Sequence, residues 1–328
     1  MSEKVLVTGG TGFIGRRVCR LLIERDIPVV ILDSQPAPGV VDQLRQVMPG
    51  RQADHLTVVE ADITDLEQVE SAFLHSGGIT RVIHLASLLT AGVEENLVLG
   101  TDVNVMGTVH ILDACARCRM QRVILASSEA VYGDGQARYG SRPVCEDDFC
   151  APLDHHYAYG AMKLLNEFMG RKYASTHNLS VACLRPSVVF GYGRSGGGQS
   201  WAEAFASNPA VGKPAALPFP ADNRENWIYV DDCAEQLVRL ALKPTLEHYL
   251  YNSGGETVSF VELVELMKRH LPDAVITLDE TKPYSPLIDD MDGSRLEREI
   301  GFLPRPLSAG LLAHIDEARQ AAGLEPIA

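Results

Sequence analysis

Lys4-Val-Leu-Val-Thr-Gly-Gly-Thr-Gly-Phe-Ile-Gly15, near the start of this 328-residue chain, is the strongest indication of its fold. Its first part, Lys4–Thr8, is a short apolar run rich in β-branched residues, which predicts a buried strand. Four glycines follow it: Gly9, Gly12 and Gly15 form the motif, and Gly10 also allows the strict G-x-G-x-x-G spacing. Side chains there would block a tight turn, the approach of backbone to a pyrophosphate, or the contact of helix with strand. The helix predicted over 12–25 begins with N–H groups that favour phosphates, so the stretch predicts a dinucleotide-binding unit.

A carboxylate stands where such a unit would bind the adenosine ribose. A second apolar run, Val29–Leu32, ends in Asp33, 18 residues after Gly15. Asp33 can accept hydrogen bonds from the ribose and repels a 2′-phosphate, which favours NAD over NADP. Arg16 and Arg17 weaken that preference. The alternative is that Asp33 only begins a turn.

Strands and helices alternate through the first half of the chain, which predicts a parallel sheet covered on both faces. The predicted strands are Lys4–Thr8, Val29–Leu32, Leu56–Glu60, Arg81–Ala86, Arg122–Ser127 and Ser180–Arg185. The predicted helices lie around 12–25, 65–75, 102–119 and 157–176. We therefore expect an α/β chain with a doubly wound Rossmann fold.

The alternation breaks after Pro186, where glycine-rich and proline-rich stretches follow. An apolar segment at Trp227–Val230 and a helix at Asp231–Leu242 predict a return to the main fold. We expect two parts that interleave along the chain. The NAD-binding domain comprises 1–186 and 226–256, and a smaller substrate-binding lobe comprises 187–225 and 257–328.

Composition narrows the class of partner. The net charge of −14 argues against nucleic acid or an anionic membrane as a partner. We expect neither a signal peptide nor a membrane-spanning segment, and seven scattered cysteines predict reduced thiols in a cytoplasmic protein. Cys115 and Cys118 lack the further ligands of a zinc site, and Asp289–Gly293 is expected to be a solvated loop, so no metal site is predicted.

Tyr159 and Lys163 are spaced to share one face of a helix. A tyrosine is a poor base near neutral pH because its pKa is about 10. A nearby lysine, together with the positive nicotinamide ring of NAD⁺, would lower that pKa. Tyr159 can then take a proton from a substrate hydroxyl. The alternative is a packed tyrosine beside a surface lysine.

Ser128 lies at the predicted carboxyl end of the fifth strand, the edge at which ligands bind in such sheets. Its hydroxyl can hold a substrate oxygen. On their own, Ser127 and Ser128 would be read as caps of the strand end.

These motifs resemble the extended short-chain dehydrogenase/reductases, the superfamily of NAD-dependent sugar epimerases and dehydratases. The matching segments follow one another along most of the chain: Thr8–Gly15, Asp33, Asp62-Ile63, His84-Leu-Ala86, Asn104, Ser127-Ser128, Tyr159 with Lys163, Leu184-Arg-Pro186 and Trp227–Asp232. The resemblance implies the catalytic residues Tyr159, Lys163 and Ser128. It implies cofactor binding by Gly9, Gly12, Phe13, Ile14, Gly15, Asp33, Asp62, Ile63, Leu85, Ala86, Tyr159, Lys163, Pro186 and Val188. For Asp62 the alternative is a helix cap, and for His84 a core histidine with satisfied hydrogen bonds.

Two departures narrow the reaction. Dehydratases of the superfamily carry Thr-Asp-Glu where this chain has Ser128-Glu129-Ala130, so elimination is not expected. Nucleotide-sugar epimerases place an arginine just before the segment resembling Trp227–Val230, whereas this chain has Arg224-Glu225-Asn226. A buried acid there would repel a diphosphate. His155-His156 and the loop Gly191–Gln199 are left to shape a pocket for a smaller polar substrate.

The leading hypothesis is an NAD-dependent oxidoreductase acting on a secondary alcohol of a sugar, sugar acid or polyol-like substrate. The first alternative is a nucleotide-sugar C4-epimerase, and the second is a redox sensor that binds NAD without turnover. The resemblance also implies a homodimer formed by the helices near 102–119 and 157–176, which carry apolar residues such as Val109, Leu112, Met162 and Leu165. The alternative is that these faces only cover the sheet.

Overall fold

The chain folds around a parallel sheet whose strands are the apolar runs of the sequence. The computed structural model describes residues 3–48, 55–133, 135–151, 153, 155–194 and 201–327. The strands of this part are β1 Val5–Thr8, β2 Val29–Asp33, β3 Leu56–Glu60, β4 Arg81–His84, β5 Arg122–Ala126, β6 Ser180–Arg185, β7 Val188–Phe190, β8 Ala215–Leu217, β9 Arg224–Tyr229, β10 Leu250–Asn252, β11 Glu256–Ser259 and β12 Ile276–Leu278.

Helices cover both faces of the sheet and recur through the C-terminal part of the chain. They are α1 Gly15–Glu24, α2 Pro38–Gln46, α3 Leu66–Ser76, α4 Thr90–Glu95, α5 Leu97–Thr101, α6 Gly107–Arg117, α7 Ala158–Thr176, α8 Trp201–Ala210, α9 Val230–Leu242, α10 Phe260–His270, α11 Ser294–Ile300 and α12 Leu307–Ala321. A π-helical turn, Asp102–Met106, joins α5 to α6. Among the residues described, no helix is long and apolar enough to cross a membrane.

Seven strands form the central sheet in the order β10-β6-β5-β4-β1-β2-β3, and all neighbours run parallel. The strand order reverses between β1 and β4, and ligands of open parallel sheets bind at such a point, outside the carboxyl ends of the strands. The doubly wound Rossmann fold is confirmed.

Residues of β1 alternate between two cores. Val5 and Val7 pack with one cluster, which includes α1 and α9, whereas Leu6 packs with the cluster under α3 and α6. Alternation places successive side chains on opposite faces, and both faces are covered, so the strand reads as an unbroken apolar run.

The structure also contains a second, smaller sheet. It contains β7, β9 and β11, and β8 pairs separately with β12. The expected return to the main fold at Trp227–Val230 is therefore only partly correct. The strand β9 joins the small sheet, and α9, which follows it, packs against β4 and β5 of the main sheet. The helices α2, α4, α5 and α8 were not predicted.

The residues expected at a subunit contact differ in their exposure. Leu112 is fully buried in the core, so its assignment to a subunit contact was wrong. Six other apolar side chains are exposed on α5, the π-helical turn and α7: Leu97, Val98, Leu99, Met106, Leu165 and Phe168. An exposed apolar patch of this kind is typical of an interaction surface.

Candidate active site

The turn between β1 and α1 is built so that glycine is required. Gly9 has φ +64°, a conformation that favours glycine. A Cβ on Gly15 would lie 2.8 Å from Gly10 Cα and 2.9 Å from the carbonyl carbon of Gly9, and closer still to that carbonyl oxygen. The turn therefore passes directly against the start of α1. This cradle fits a pyrophosphate at a helix N-terminus.

Asp33 ends β2 and is held by the glycine turn. Its Oδ2 accepts hydrogen bonds from Thr11 N at 3.2 Å and Thr11 Oγ1 at 2.7 Å. The other carboxylate oxygen accepts from Gln35 N. Asp33 does begin a turn, as the alternative proposed, and it also lines the cleft beside the glycines.

The cleft is a single cavity of about 850 Å³ at the carboxyl edge of the sheet. It brings together every residue implied to bind cofactor: Gly9, Gly12, Phe13, Ile14, Gly15, Asp33, Asp62, Ile63, Leu85, Ala86, Tyr159, Lys163, Pro186 and Val188. Asp62 accepts from Thr64 N at 2.8 Å, whereas the cap of α3 is Asp65, so the helix-cap alternative for Asp62 is wrong. Ser128 lines the same cavity.

Buried polar groups position the cleft wall after β4. His84 Nδ1 contacts Thr8 Oγ1 at 2.7 Å, and its Nε2 contacts Thr108 Oγ1 at 3.1 Å. Burial lowers the pKa of His84 to about 3, so the ring is neutral, and the core-histidine alternative is confirmed. The Asn104 side chain, in the π-helical turn, bonds both Leu88 N and Leu88 O. These bonds hold the loop that continues into the cleft wall.

Tyr159 and Lys163 lie in the first turns of α7 and both reach the cleft. Tyr159 is 8% exposed and Lys163 5% exposed. The Lys163 Nζ lies 5.5 Å from the centroid of the Tyr159 ring and donates to Ala126 O at 2.8 Å. That carbonyl ends β5, so the lysine fastens α7 to the carboxyl edge of the sheet. The packed-surface alternative for this pair is wrong, because both side chains are buried at the cleft.

Burial dominates the pKa of both groups. It raises the pKa of Tyr159 to about 12, and the groups that oppose it are the Ser128 hydroxyl and the charge of Arg194. It lowers the pKa of Lys163 to about 8. The expectation that Lys163 lowers the pKa of Tyr159 is therefore not met in the protein alone. Burial of the tyrosine away from water raises its pKa more than nearby charges lower it.

The two serines at the end of β5 have different partners. Ser127 is buried, and its Oγ donates to Glu167 Oε1 at 2.5 Å. Ser128 accepts from Ala130 N at 3.2 Å, and its hydroxyl lies near enough to Tyr159 to lower that tyrosine's pKa. Ser128 thus caps the short 3₁₀ segment Glu129–Tyr132, and it faces the cleft.

Sequence reasoning missed Arg194. It belongs to the loop after β7, lines the cleft, and donates from Nη1 to Val189 O. Its charge acts on Tyr159, Glu129 and Glu225. The sequence did carry a hint of Arg194, because an arginine stands among glycines in Gly191-Tyr-Gly-Arg-Ser-Gly196.

The acid predicted in place of the phosphate-binding arginine is buried as expected. Glu225 lies on β9 and is fully buried, whereas Arg224 points outward and pairs with Glu262 at 3.8 Å. Arg224 is absent from the described residues that line the cleft. Residues that follow β7 in the sequence also line the cleft: Phe219, Pro283, Tyr284, Ser285, Pro286 and Leu287.

Two expected pocket elements contribute little. His155 and His156 are not among the described residues that line the cleft, and the His155 ring contacts Val131 O at 3.1 Å behind it. Of the loop Gly191–Gln199, residues 195–199 lie outside the described part of the chain. Asp289–Gly293 forms a loop before α11, with Asp292 accepting from Ser294 N at 2.9 Å. The loop is not solvated as expected, because Met291 is buried and Asp289, Asp290 and Asp292 are half-buried.

Comparison with known proteins agrees with this geometry. The chain is 30% identical over 322 residues to a UDP-glucose 4-epimerase from Bacillus subtilis, covering 91% of each chain. It is 28% identical over 238 residues to a 3beta-hydroxysteroid-dehydrogenase/decarboxylase of Arabidopsis thaliana, covering 70% of this chain but only 39% of that longer protein. A solved GalE-like L-threonine dehydrogenase from Cupriavidus necator shares the fold, with a TM-score of 0.81, 21% identity and coverage of 96% and 99%.

The family model for NAD-dependent epimerases/dehydratases matches residues 5–254, which include the glycine turn, Asp33, Tyr159 and Lys163. That match spans most of the chain and includes most of the residues that line the cleft. The chain belongs to the NAD-dependent epimerase/dehydratase family, and its cofactor is NAD.

Proposed function

We propose that this chain is an oxidoreductase that transfers hydride between NAD and a secondary alcohol of a sugar acid or a related sugar or polyol. Arg194, at the end of the cleft where Ser128 and Tyr159 meet, carries the proposal. Among the described residues that line the cleft, the cations are Arg194 and Lys163, and Lys163 is bonded to Ala126 O. A guanidinium matches a carboxylate in shape and charge. One arginine beside an acid suits a small monoanion better than a nucleotide diphosphate.

The other end of the cleft suits the cofactor. We propose that the glycine turn with Phe13 and Ile14 holds the pyrophosphate, and that Asp33 accepts from the adenosine ribose. We propose that Asp62 and Ile63, which line the same cleft, contact the adenine. We propose that Leu85, Ala86, Pro186 and Val188, also cleft residues, line the nicotinamide end. We assign 1–186 and 226–256 to this cofactor domain, and 187–225 and 257–328 to the substrate lobe.

The chain's own residues can move one proton at the reacting alcohol. Bound NAD⁺ supplies the hydride acceptor and a positively charged ring. Ser128 holds the substrate hydroxyl, and the Tyr159 Oη receives its proton. Burial opposes the phenolate, so Arg194 and Ser128, which favour it, are part of what makes the tyrosine a base. Lys163 adds positive charge and reaches the ribose.

A nucleotide-sugar C4-epimerase is the second candidate. It is supported by the 30% identity to the Bacillus subtilis UDP-glucose 4-epimerase over nearly the full length. An epimerase regenerates its cofactor within each cycle, whereas a dehydrogenase exchanges it. Purified protein that retains stoichiometric NAD and interconverts UDP-sugars without net NADH would favour this candidate.

A substrate panel tests the proposal. D-glucuronate and D-galacturonate are compared with D-glucose, D-galactose and their UDP derivatives, with NADH absorbance and product analysis as readouts. We expect the uronates to have the highest kcat/KM. Arg194→Met should raise the KM for a uronate by about tenfold or more and the KM for a neutral sugar by no more than about threefold, while kcat should fall for both because Arg194 also favours the Tyr159 phenolate. Arg194→Lys is the matched control that keeps the charge. Equal rises in KM for charged and neutral substrates would contradict the substrate-binding role of Arg194.

We also propose that the protein is a cytoplasmic homodimer. All seven cysteines are free thiols, which suits a reducing compartment. The apolar patch on α5, the π-helical turn and α7 includes Val98 at 74% and Phe168 at 63% exposure. A twofold contact would bury this patch against itself.

A further inference from the structure

Glu129 is a buried acid with an unsatisfied oxygen at the substrate end of the cleft. It follows Ser128 directly, and its backbone N–H donates to Pro186 O at 2.9 Å, which fixes its place. The side chain is 5% exposed and lines the cleft, and Oε2 has no hydrogen-bond partner among the described residues. An ionised carboxylate that is buried without a hydrogen-bond partner is energetically unfavourable. Protonation of the group, or a bound ligand that bonds it, would remove that cost.

The charges around Glu129 favour the proton. Glu225 on β9 repels the ionised form of Glu129, and Arg194 in the loop after β7 attracts it, while Tyr159 on α7 lies near enough for its pKa to respond to Glu129. Burial and repulsion from Glu225 hold the pKa of Glu129 well above its usual range, and Arg194 only partly offsets them.

We propose that Glu129 binds substrate as a neutral carboxylic acid, donating its proton in a hydrogen bond to the substrate carboxylate that Arg194 also holds. The inference rests on the proposed function and adds a second binding group to it. An ionised Glu129 can only accept hydrogen bonds, and it would repel the same carboxylate. A protonated Glu129 donates a charge-assisted hydrogen bond. The site therefore selects carboxylated substrates while Glu129 keeps its proton.

Binding of uronate tests this without turnover. D-glucuronate and D-galacturonate are titrated calorimetrically into NADH-saturated protein from about pH 6 to about pH 9, in the unaltered chain and in Glu129→Gln. We expect the Kd of the unaltered protein to rise at least about tenfold as Glu129 ionises. Glutamine keeps a hydrogen-bond donor and cannot ionise, so the Kd of Glu129→Gln should lack this tenfold rise between about pH 6 and about pH 9. Glu129→Ala, which removes the donor, should bind weakly at every pH.

A thermal measurement tests the proton independently of any substrate. A raised native pKa means that the native chain binds the proton more tightly than the unfolded chain. The resulting stabilisation is complete at low pH and is lost as pH rises through the native pKa. The melting temperature of the unaltered protein should therefore fall relative to that of Glu129→Gln as pH rises. A pH-independent difference would overturn the proposal.

The two arms separate this inference from the function on which it rests. If no uronate is bound or oxidised but the melting temperatures diverge, the proton is present, and both the carboxylate-binding role and the proposed substrate class are wrong. If uronates are oxidised and their Kd responds to pH equally in the unaltered protein and Glu129→Gln, the function stands and the role of Glu129 is overturned.

Discussion

Replacing Gly15 with alanine should damage cofactor binding without touching any catalytic group. The new Cβ would lie 2.8 Å from Gly10 Cα and 2.9 Å from the carbonyl carbon of Gly9. These are backbone atoms, so no flexible side chain can move aside. Overpacking of this kind costs roughly 1–3 kcal/mol. If the turn shifts to relieve it, NAD⁺ binding should weaken by about 5- to 150-fold, since 1.4 kcal/mol corresponds to about tenfold.

The matched control is Gly39→Ala. Gly39 lies in α2, and a Cβ there would meet no atom within 4 Å. Alanine is also the better helix former, so stability should be unchanged or rise by up to about 1 kcal/mol. Calorimetric titration with NAD⁺ measures the binding effect, and thermal unfolding should show Gly15→Ala melting about 2–10 °C lower. If Gly15→Ala bound NAD⁺ with unaltered affinity, the claim that the glycine turn holds the cofactor's pyrophosphate would be refuted.

Three further predictions follow from the cleft and its surroundings. Asp33→Asn should narrow the preference for NAD⁺ over NADP⁺, measured by calorimetry, and tighter NADP⁺ binding to the unaltered protein would contradict the role of Asp33. Burial lowers the pKa of Lys163 to about 8, so this side chain loses its charge as pH rises through that value. NAD⁺ affinity should fall over the same range in the unaltered protein and stay flat in Lys163→Met. Phe168→Glu should give a monomer by light scattering at micromolar concentration, while Leu74→Glu, also exposed but on α3, should leave the dimer intact.

The sheet could be predicted because its strands carry their own signal. Runs such as Val29–Leu32 are buried on both faces and therefore contain no polar break. The helix α2 gave a weaker signal, since Val41 and Leu44 are its buried residues. Within α8, Pro209 argues against a helix by its missing N–H. Local pattern alone did not reveal either helix.

Some of the candidate site residues could also be predicted from local sequence, and others could not. Tyr159 and Lys163 could be predicted because residues four apart in a helix lie on one face. Arg194 was not, because it reaches Tyr159 only through the path of the loop after β7. The direction of the Tyr159 pKa also depends on burial, which spacing does not reveal. Residues brought together by tertiary packing required the structure.

The most direct test of the central claim is the rate of NADH formation by Tyr159→Phe on the preferred substrate of the unaltered protein. The change removes only the phenolic hydroxyl, near Ser128. If Tyr159 is the general base, turnover should fall by at least about 10²–10⁴-fold while NAD⁺ affinity stays within about threefold. Near-normal turnover in this variant would contradict the claim that Tyr159 takes the substrate proton.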